Sequence, residues 1–476
     1  MCVNMDCSIE LSSKASRSDF WRRWVKLLLT IAAQNIIVYG VNLLDNIMIG
    51  KLGEAAELAI SGVFIVNQIQ FLLQSICGSI SDGTVVICSR YWGEGDTNSI
   101  KRAGATSMLF GLAVSGVMML TVLLFPTQVL GLLTDKPHVI AEGEKYLLIV
   151  AFTYMFFAAT QVLLGILRSV ETAFIGFINS CAAFVVNLVL NYAFIFGHFG
   201  APAMGIRGAA IATLVSRVVE FAIVVVYIAF FDKKLKLKIS DFLKFDGDIS
   251  KKFFKVSLPV VFSGASWGVA MSLQTAILGR LTDPVISANS IASTVFQIMS
   301  VFIYGAATAS SVMVGKTIGE AKTMTAGMNE ESAFDLLKKE LKHRVSRMQL
   351  IYLAMGAATG LAIFLCRDFI VSLYDISEET KGLAMQFMAV LSVTVIGTAY
   401  QMTCLTGIVR GGGDTNFVFY NDIIFMWCIV LPCSFIAAFV LELSPIFIFM
   451  ILKSDQIIKC IVAVIKVNRY RWIKKF

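Results

Sequence analysis

The stretch NLLDNIMIG, Asn42 to Gly50, places an aspartate, Asp45, inside a long apolar run. Desolvation disfavours the charged form of such a carboxyl, so its pKa should rise toward the range where a proton or a cation exchanges reversibly. On a wheel of about 100° per residue starting at Gln34, Asp45 falls near 20°, Asn42 near 80°, Asn35 near 100° and Asn46 near 120°. The polar residues of this run therefore share about one third of the circumference. Unsatisfied polar groups are expensive in hydrocarbon, so the stripe must face a bundle interior or a water-filled cavity. In outline this is a carrier's coupling site, with Asp45 taking H⁺ or acting as a ligand for Na⁺. The competing reading is a salt bridge to Arg217 or Lys453 that only locks helices together; Glu220 and Asp455 already stand beside those two cations in sequence.

Further along, FVVNLVLNYAF carries Asn187 and Asn191 one turn apart. Two amides at that spacing can complete a ligand shell around Asp45 or make helix-packing hydrogen bonds, and the spacing alone serves both. Gln34, Asn42, Tyr154, Trp267, Met271, Gln274, Gln297 and Tyr400 offer the amides, aromatic faces and soft sulfur that suit flat organic cations. Each is also an ordinary packing residue. Asp82 and Asp422 fall near the inner ends of their runs, as helix-end or mouth residues.

The elements that position these residues follow from composition. The chain of 476 residues is 57% hydrophobic and 15% charged, against about 25% charged in a soluble domain. Twelve apolar runs, each long enough to cross a ~30 Å hydrocarbon core as a helix, extend from 27–49 through 286–314 to 445–465. With a cytoplasmic amino terminus, 30 of the 40 Lys and Arg residues fall in inner segments, 7 in outer loops and 3 within runs. Positive charge marks the inside, so both termini are expected there, in the cell membrane. The net charge of +8 then faces anionic lipid and needs no nucleic acid. The segment before Trp21 has neither an apolar stretch nor a small-residue cleavage site, so no removed signal is expected. The ten cysteines form no C-x-x-C pair and read as small buried hydrophobes rather than a zinc site or disulfide framework.

The two halves of the chain resemble each other. GILRSVETAF around Arg168 matches GIVRGGGDTNF around Arg410 with one residue inserted, and RYWGEGD at Arg90 matches KTIGEAK at Lys316. IGKLG with LGRLT, and LLTD with SLYD, keep a similar offset. Six runs per half is an even number, so the repeats share one orientation, related by an axis along the membrane normal. The expected fold is all-α: a cytoplasmic tail over 1–26, a six-helix lobe over 27–231, a cytoplasmic linker over 232–255, a second six-helix lobe over 256–465 and a basic tail over 466–476. The glycines of RGGGDT suit a tight turn; the motif lacks the Gly-Lys-Ser/Thr ending of a phosphate loop.

LLDNIMIGKLGEAAELAISGV, SRYWGEGD, NLVLNYAFIFG, GIRGAAIAT and GIVRGGGDT, in that order over almost the whole chain, resemble a bacterial member of the multidrug and toxic compound extrusion (MATE) family. The resemblance implies a twelve-helix, two-lobed antiporter exporting amphipathic, often cationic compounds in exchange for H⁺ or Na⁺. It matches the family's first-helix acid to Asp45, its fifth-helix pair to Asn187 and Asn191, and a sixth-helix threonine to Thr213. The seventh run has no acid where many relatives carry a glutamate, and the tenth has Ala399 and Tyr400 where some carry an aspartate. Coupling is therefore expected in the N-terminal lobe, with no cofactor beyond the ion and the chain acting as a monomer.

Other functions fit less well. A flippase for a lipid-linked precursor on a related two-lobed fold would need clustered cavity cations, and Arg217, Lys453 and Lys459 are scattered. An enzyme would need a metal-ligand cluster, intramembrane histidine or paired acids on one helix face; His138, His198 and His343 lie in or beside loops. A channel is at odds with a duplicated single chain built for alternating access.

Overall fold

The computed structural model describes residues 2–49, 56–374 and 376–474, with side chains for 18–41, 48, 60–282, 284–329, 331–374 and 376–474. Among the described residues the architecture is helical throughout, without a strand. The N-terminal lobe comprises α1 (Cys2–Ile49), α2 (Ala56–Glu94), α3 (Thr97–Leu124), α4 (Pro126–Gly131), α5 (Pro137–Val150), α6 (Thr153–Ser169), α7 (Phe174–Phe196) and α8 (Ile206–Phe230). The C-terminal lobe comprises α9 (Gly247–Gly279), α10 (Asp283–Met299), α11 (Val301–Met324), α12 (Glu330–Ser372), α13 (Glu378–Met402), α14 (Thr415–Ile423), α15 (Leu431–Phe439), α16 (Pro445–Leu452) and α17 (Asp455–Asn468). Wide helix turns at Thr403–Val409 and Ile424–Val430 interrupt the tenth and eleventh runs.

Among the described residues ten helices are long and apolar enough to span a membrane, or eleven if the pair α5–α6, bent by 50°, counts as one span. The expected run at 445–465 divides into α16 and α17, of 8 and 14 residues, each short of the ~20 residues a single crossing needs. The run at 286–314 is broken at Ser300, which ends α10 and begins α11. Apolar composition locates such runs but is indifferent to a break of one or two residues inside them.

Local chemistry sets the starts. Asp96 accepts from Ser99 N at 3.0 Å to cap α3, and Asn329 and Ser377 cap α12 and α13 in the same way, satisfying otherwise orphaned helix N–H groups. Pro137 opens α5, and left-handed Gly197 (φ 76°) closes α7.

The repeated turns show the internal symmetry at atomic level. After α6, Glu171 N donates to Arg168 O and Thr172 N to Leu167 O; in the second half Gly413 N donates to Arg410 O and Asp414 N to Val409 O. Both are the same paired helix-ending motif, whose left-handed residue is usually glycine. Gly413 takes that place at φ 91°, while in the first half Glu171 itself takes it at φ 60°. The tight turn expected of RGGGDT is present, and the inserted residue moves the acid one position along the turn.

Candidate functional site

A cavity of about 60 Å³ lies inside the N-terminal lobe. Val38 and Val41 of α1 form one wall, Asn67, Gln70 and Gln74 of α2 another, and Asn187 of α7 faces Thr213 and Arg217 of α8. One water needs roughly 10–15 Å³ on this measure and a drug-sized ligand several hundred. The space therefore suits an ion with a few waters.

Two of the residues expected to couple ions, Asn187 and Thr213, line this cavity. Asn191, fully buried, donates its Nδ2 to Asn187 Oδ1 at 2.9 Å. The bond orients the Asn187 amide, while Thr213 Oγ1 donates to Ala209 O at 3.0 Å. Arg217 and Glu220 also line the cavity and pair at 2.7 Å, with the Arg217 guanidinium over the Phe157 ring. The Arg217 charge thus has the local partner that sequence spacing offered it. The side chains of Asp45 and Asn42, and with them the expected Na⁺ ligand, lie outside the described residues.

The structure does not gather the expected substrate-cavity residues in one place. Gln34 is half-buried against Gly176 of α7. Tyr154 is fully buried in the N-lobe core. Gln274 is buried in the C-lobe and bonds Lys453 Nζ at 3.3 Å, while the Tyr400 hydroxyl donates to Gln349 at 2.6 Å. Met271 is half-buried and Gln297 exposed. Trp267 is 43% exposed and stacks at a tilt on Phe71, 5.8 Å away across the two lobes.

Sequence reading missed the α2 wall. Its signal was present: Asn67, Gln70 and Gln74 recur at i, i+3 and i+7 on one helix face. It also missed a seam between the lobes. α2 packs along α9 and α11, and α1 along α11. Ser75 Oγ donates to Gly264 O at 2.6 Å, and Ser89 of α2 lies against Gly315 of α11.

At one end of the seam the two matched motifs interlock. A Cβ on Gly93 would overlap the Lys316 carbonyl oxygen and stand 2.9 Å from Glu320 N; a Cβ on Gly319 would overlap the Arg90 carbonyl oxygen and stand 2.9 Å from Glu94 N. Each lobe thus sets its glycine on the backbone of the other lobe's first motif residue. Around this contact Glu171 Oε1 accepts from Lys316 Nζ at 2.5 Å and from Trp92 Nε1 at 3.3 Å, while Oε2 accepts from Arg23 at 3.1 Å. Lys322 pairs with Glu94 at 2.9 Å and Arg410 with Asp82 at 3.5 Å. Burial opposes ionisation of Glu171, but Lys316 and Arg23 outweigh it and hold the carboxyl below its ordinary value of 4.5. In the C-lobe, Lys459 bridges Asp422 at 3.1 Å and Asp455 at 3.4 Å, and Ser263 donates to Asp422 at 2.6 Å.

The profile of the MatE family matches residues 30–193 and 337–436, more than half of the chain. The chain belongs to the MATE transporter family. This MATE protein is 24% identical over 440 residues to the probable multidrug resistance protein YoeA of Bacillus subtilis, covering 90% of this chain and 89% of that one. It is 24% identical over 326 residues to the probable multidrug resistance protein NorM of Agrobacterium fabrum, covering 66% and 68%. Its fold matches a MOP superfamily transporter from Pyrococcus furiosus with a TM-score of 0.82, 19% identity and coverage of 95% and 96%. An outward-facing MATE multidrug resistance transporter matches with a TM-score of 0.81, 19% identity and coverage of 94% and 95%. The all-helical, two-lobed architecture expected from the sequence is that of this family. Among the described residues, no group of three or more His, Cys, Asp or Glu side chains could hold a metal ion.

Proposed function

We propose that this MATE protein is a secondary active antiporter that exports amphipathic, often cationic organic molecules in exchange for H⁺ or Na⁺ by alternating access across the cell membrane. The observation that carries the reading is the small polar cavity of the N-lobe, lined by Asn187, Thr213 and the Arg217–Glu220 pair. On the helix wheel, position 45 falls about 20° from Val38 and about 40° from Val41, the two α1 residues on the cavity wall. Asp45 is the ion-exchanging acid in this reading, and the Asn191-oriented amide of Asn187 supplies an oxygen or N–H to the bound ion or its water.

With Arg23, Glu171 and Lys316 on the cytoplasmic side, as the charge distribution expects, the interlocked motifs close the protein to the cytoplasm. Ion uptake from outside then favours rearrangement and drug release. Drug and ion must oppose one another with equal coupling free energy.

The test is ethidium efflux from proteoliposomes under separately imposed pH and Na⁺ gradients, for the wild type and Asp45→Asn. Efflux driven by one gradient and abolished by the substitution is the expected result. Full gradient-driven efflux in Asp45→Asn refutes the assignment.

A further inference from the structure

A second cleft, with a volume of about 600 Å³, opens where the start of α12 meets the segment after α17. It is lined by Phe334, Lys338, Arg469 and Arg471, with no carboxylate among them. Some neighbouring cations at this end of the molecule have acidic partners: Lys466 and Lys474 reach Asp414 at 2.7 and 3.5 Å, and Lys322 reaches Glu94. Lys338, Arg469 and Arg471 make no ion pair and no side-chain hydrogen bond among the described residues, and all three are exposed. Three positive charges therefore line one cleft, and Asp335, next to Phe334 in sequence, is not among its lining residues.

Depth identifies what could neutralise them. Gln349 donates to Asn468 at 3.3 Å, so the end of α17 is level with residue 349, where the apolar run of α12 begins. The headgroup layer adds roughly 5–8 Å beyond the hydrocarbon on each side. Arg469 and Arg471 follow Asn468 directly and lie in that layer. Lys338 is eleven residues below Gln349, about 16 Å along the helix, and borders the cleft on the side away from the hydrocarbon.

Directly above, α17 exposes Ile458, Ile461 and Ile465 at 42%, 65% and 48%. Arg469 continues the helix in right-handed conformation and falls about 20° from Ile458 and about 40° from Ile465 on the wheel. Acyl chains lying on those isoleucines would bring their phosphate to Arg469.

We propose that the cleft of Lys338, Arg469, Arg471 and Phe334 binds the phosphate headgroup of an anionic phospholipid. The site is distinct from the transport cavity, and its placement in the inner leaflet rests on the orientation given above. Occupancy has a structural consequence. Arg469 and Arg471 lead into a strap whose Trp472, fully buried, fills the space beside Gly412. Lys474 N donates to Gly412 O at 3.0 Å, and Lys474 O accepts from Arg90 of the other lobe at 2.6 Å. A lipid neutralising the two arginines would hold this strap, and with it the closed seam.

The experiment is native mass spectrometry of the purified full chain in neutral detergent, titrated with phosphatidylglycerol, phosphatidylcholine or inorganic phosphate. This readout needs no transport and no assigned orientation, so its failure is distinguishable from failure of the antiporter reading. Each cation near an anionic membrane surface is worth about five-fold in affinity. The variant Lys338→Gln/Arg469→Gln/Arg471→Gln should therefore bind phosphatidylglycerol on the order of 100-fold more weakly, while Lys236→Gln/Lys251→Gln/Lys252→Gln, with equal charge loss in the linker region, should bind as the wild type. Equal loss in both variants, or equal binding of phosphatidylcholine, overturns the site. Binding of inorganic phosphate that excludes phosphatidylglycerol assigns the cleft to a soluble anion and overturns the lipid.

Discussion

Substituting Gly93 by alanine should open the seam on the Glu171 face. The added Cβ would overlap the Lys316 carbonyl oxygen and stand 2.9 Å from both the Lys316 carbonyl carbon and Glu320 N. These are backbone atoms of a buried helix, so no side chain can swing aside. Non-bonded carbon contacts settle near 3.5–4.0 Å, so α2 and α11 must separate by on the order of 1 Å. Overpacking of this kind costs about 1–3 kcal/mol. The cost falls only on the arrangement in which the lobes touch here, so the open arrangement gains about 5- to 150-fold in relative population. Gly319→Ala should act in the same way, against the Arg90 carbonyl. One separation relieves both clashes, so the double variant should cost less than the sum of the singles.

Ser89 is fully buried on α2 opposite Gly315, so a cysteine at position 89 reports opening. Its alkylation by a membrane-impermeant maleimide, followed by site-resolved mass spectrometry, should accelerate 5- to 150-fold in the Gly93→Ala background. An unchanged rate in folded protein would refute the interlock. Acceleration in the double variant equal to the product of the singles would refute the shared displacement.

The same assay tests Glu171. Glu171→Gln removes the carboxylate shared by Lys316 and Arg23 and should speed labelling at position 89. Because the carboxyl of Glu171 is held below 4.5 when paired, its contribution to closure is fully present above pH 4.5 and is lost as pH falls through the lowered value. The wild type should therefore label at a constant opening population between pH 5 and 8 and open below about pH 4.5, whereas Glu171→Gln should show no such step; a step in both would exclude Glu171 as its source. Arg217→Met leaves Glu220 buried without its 2.7 Å partner and should cost about 3–5 kcal/mol, nearer the lower value because Arg217 is 22% exposed. Arg217→Met/Glu220→Leu should recover most of that loss. Thermal unfolding in detergent reads the order of the three proteins, and a double variant less stable than the single would contradict this account of the pair.

Hydrophobic run length and the sidedness of Lys and Arg depend on the solvent each segment meets, so the sequence by itself determined a helical membrane protein of about twelve crossings. The two-lobed duplication was equally legible, because both halves repeat the same turn chemistry at Arg168 and Arg410. Asn187 and Asn191 could be named because amides are conspicuous in apolar helices, and Thr213 because its stretch resembles the family's sixth-helix motif.

Which surfaces those helices turn toward one another was decided only by the tertiary structure. Asn67, Gln70 and Gln74 sit on a regular helix face, but periodicity does not say whether that face meets a cavity or another helix. Gln274 and Tyr400 have suitable chemistry for a ligand, yet packing gives them Lys453 and Gln349 as partners within the C-lobe. Glu171 and Lys316 are 145 residues apart, and no local rule links them. They meet because Gly93 and Gly319 leave room for two backbones to touch. A missing side chain acts through what approaches it, and that is a property of the assembled fold.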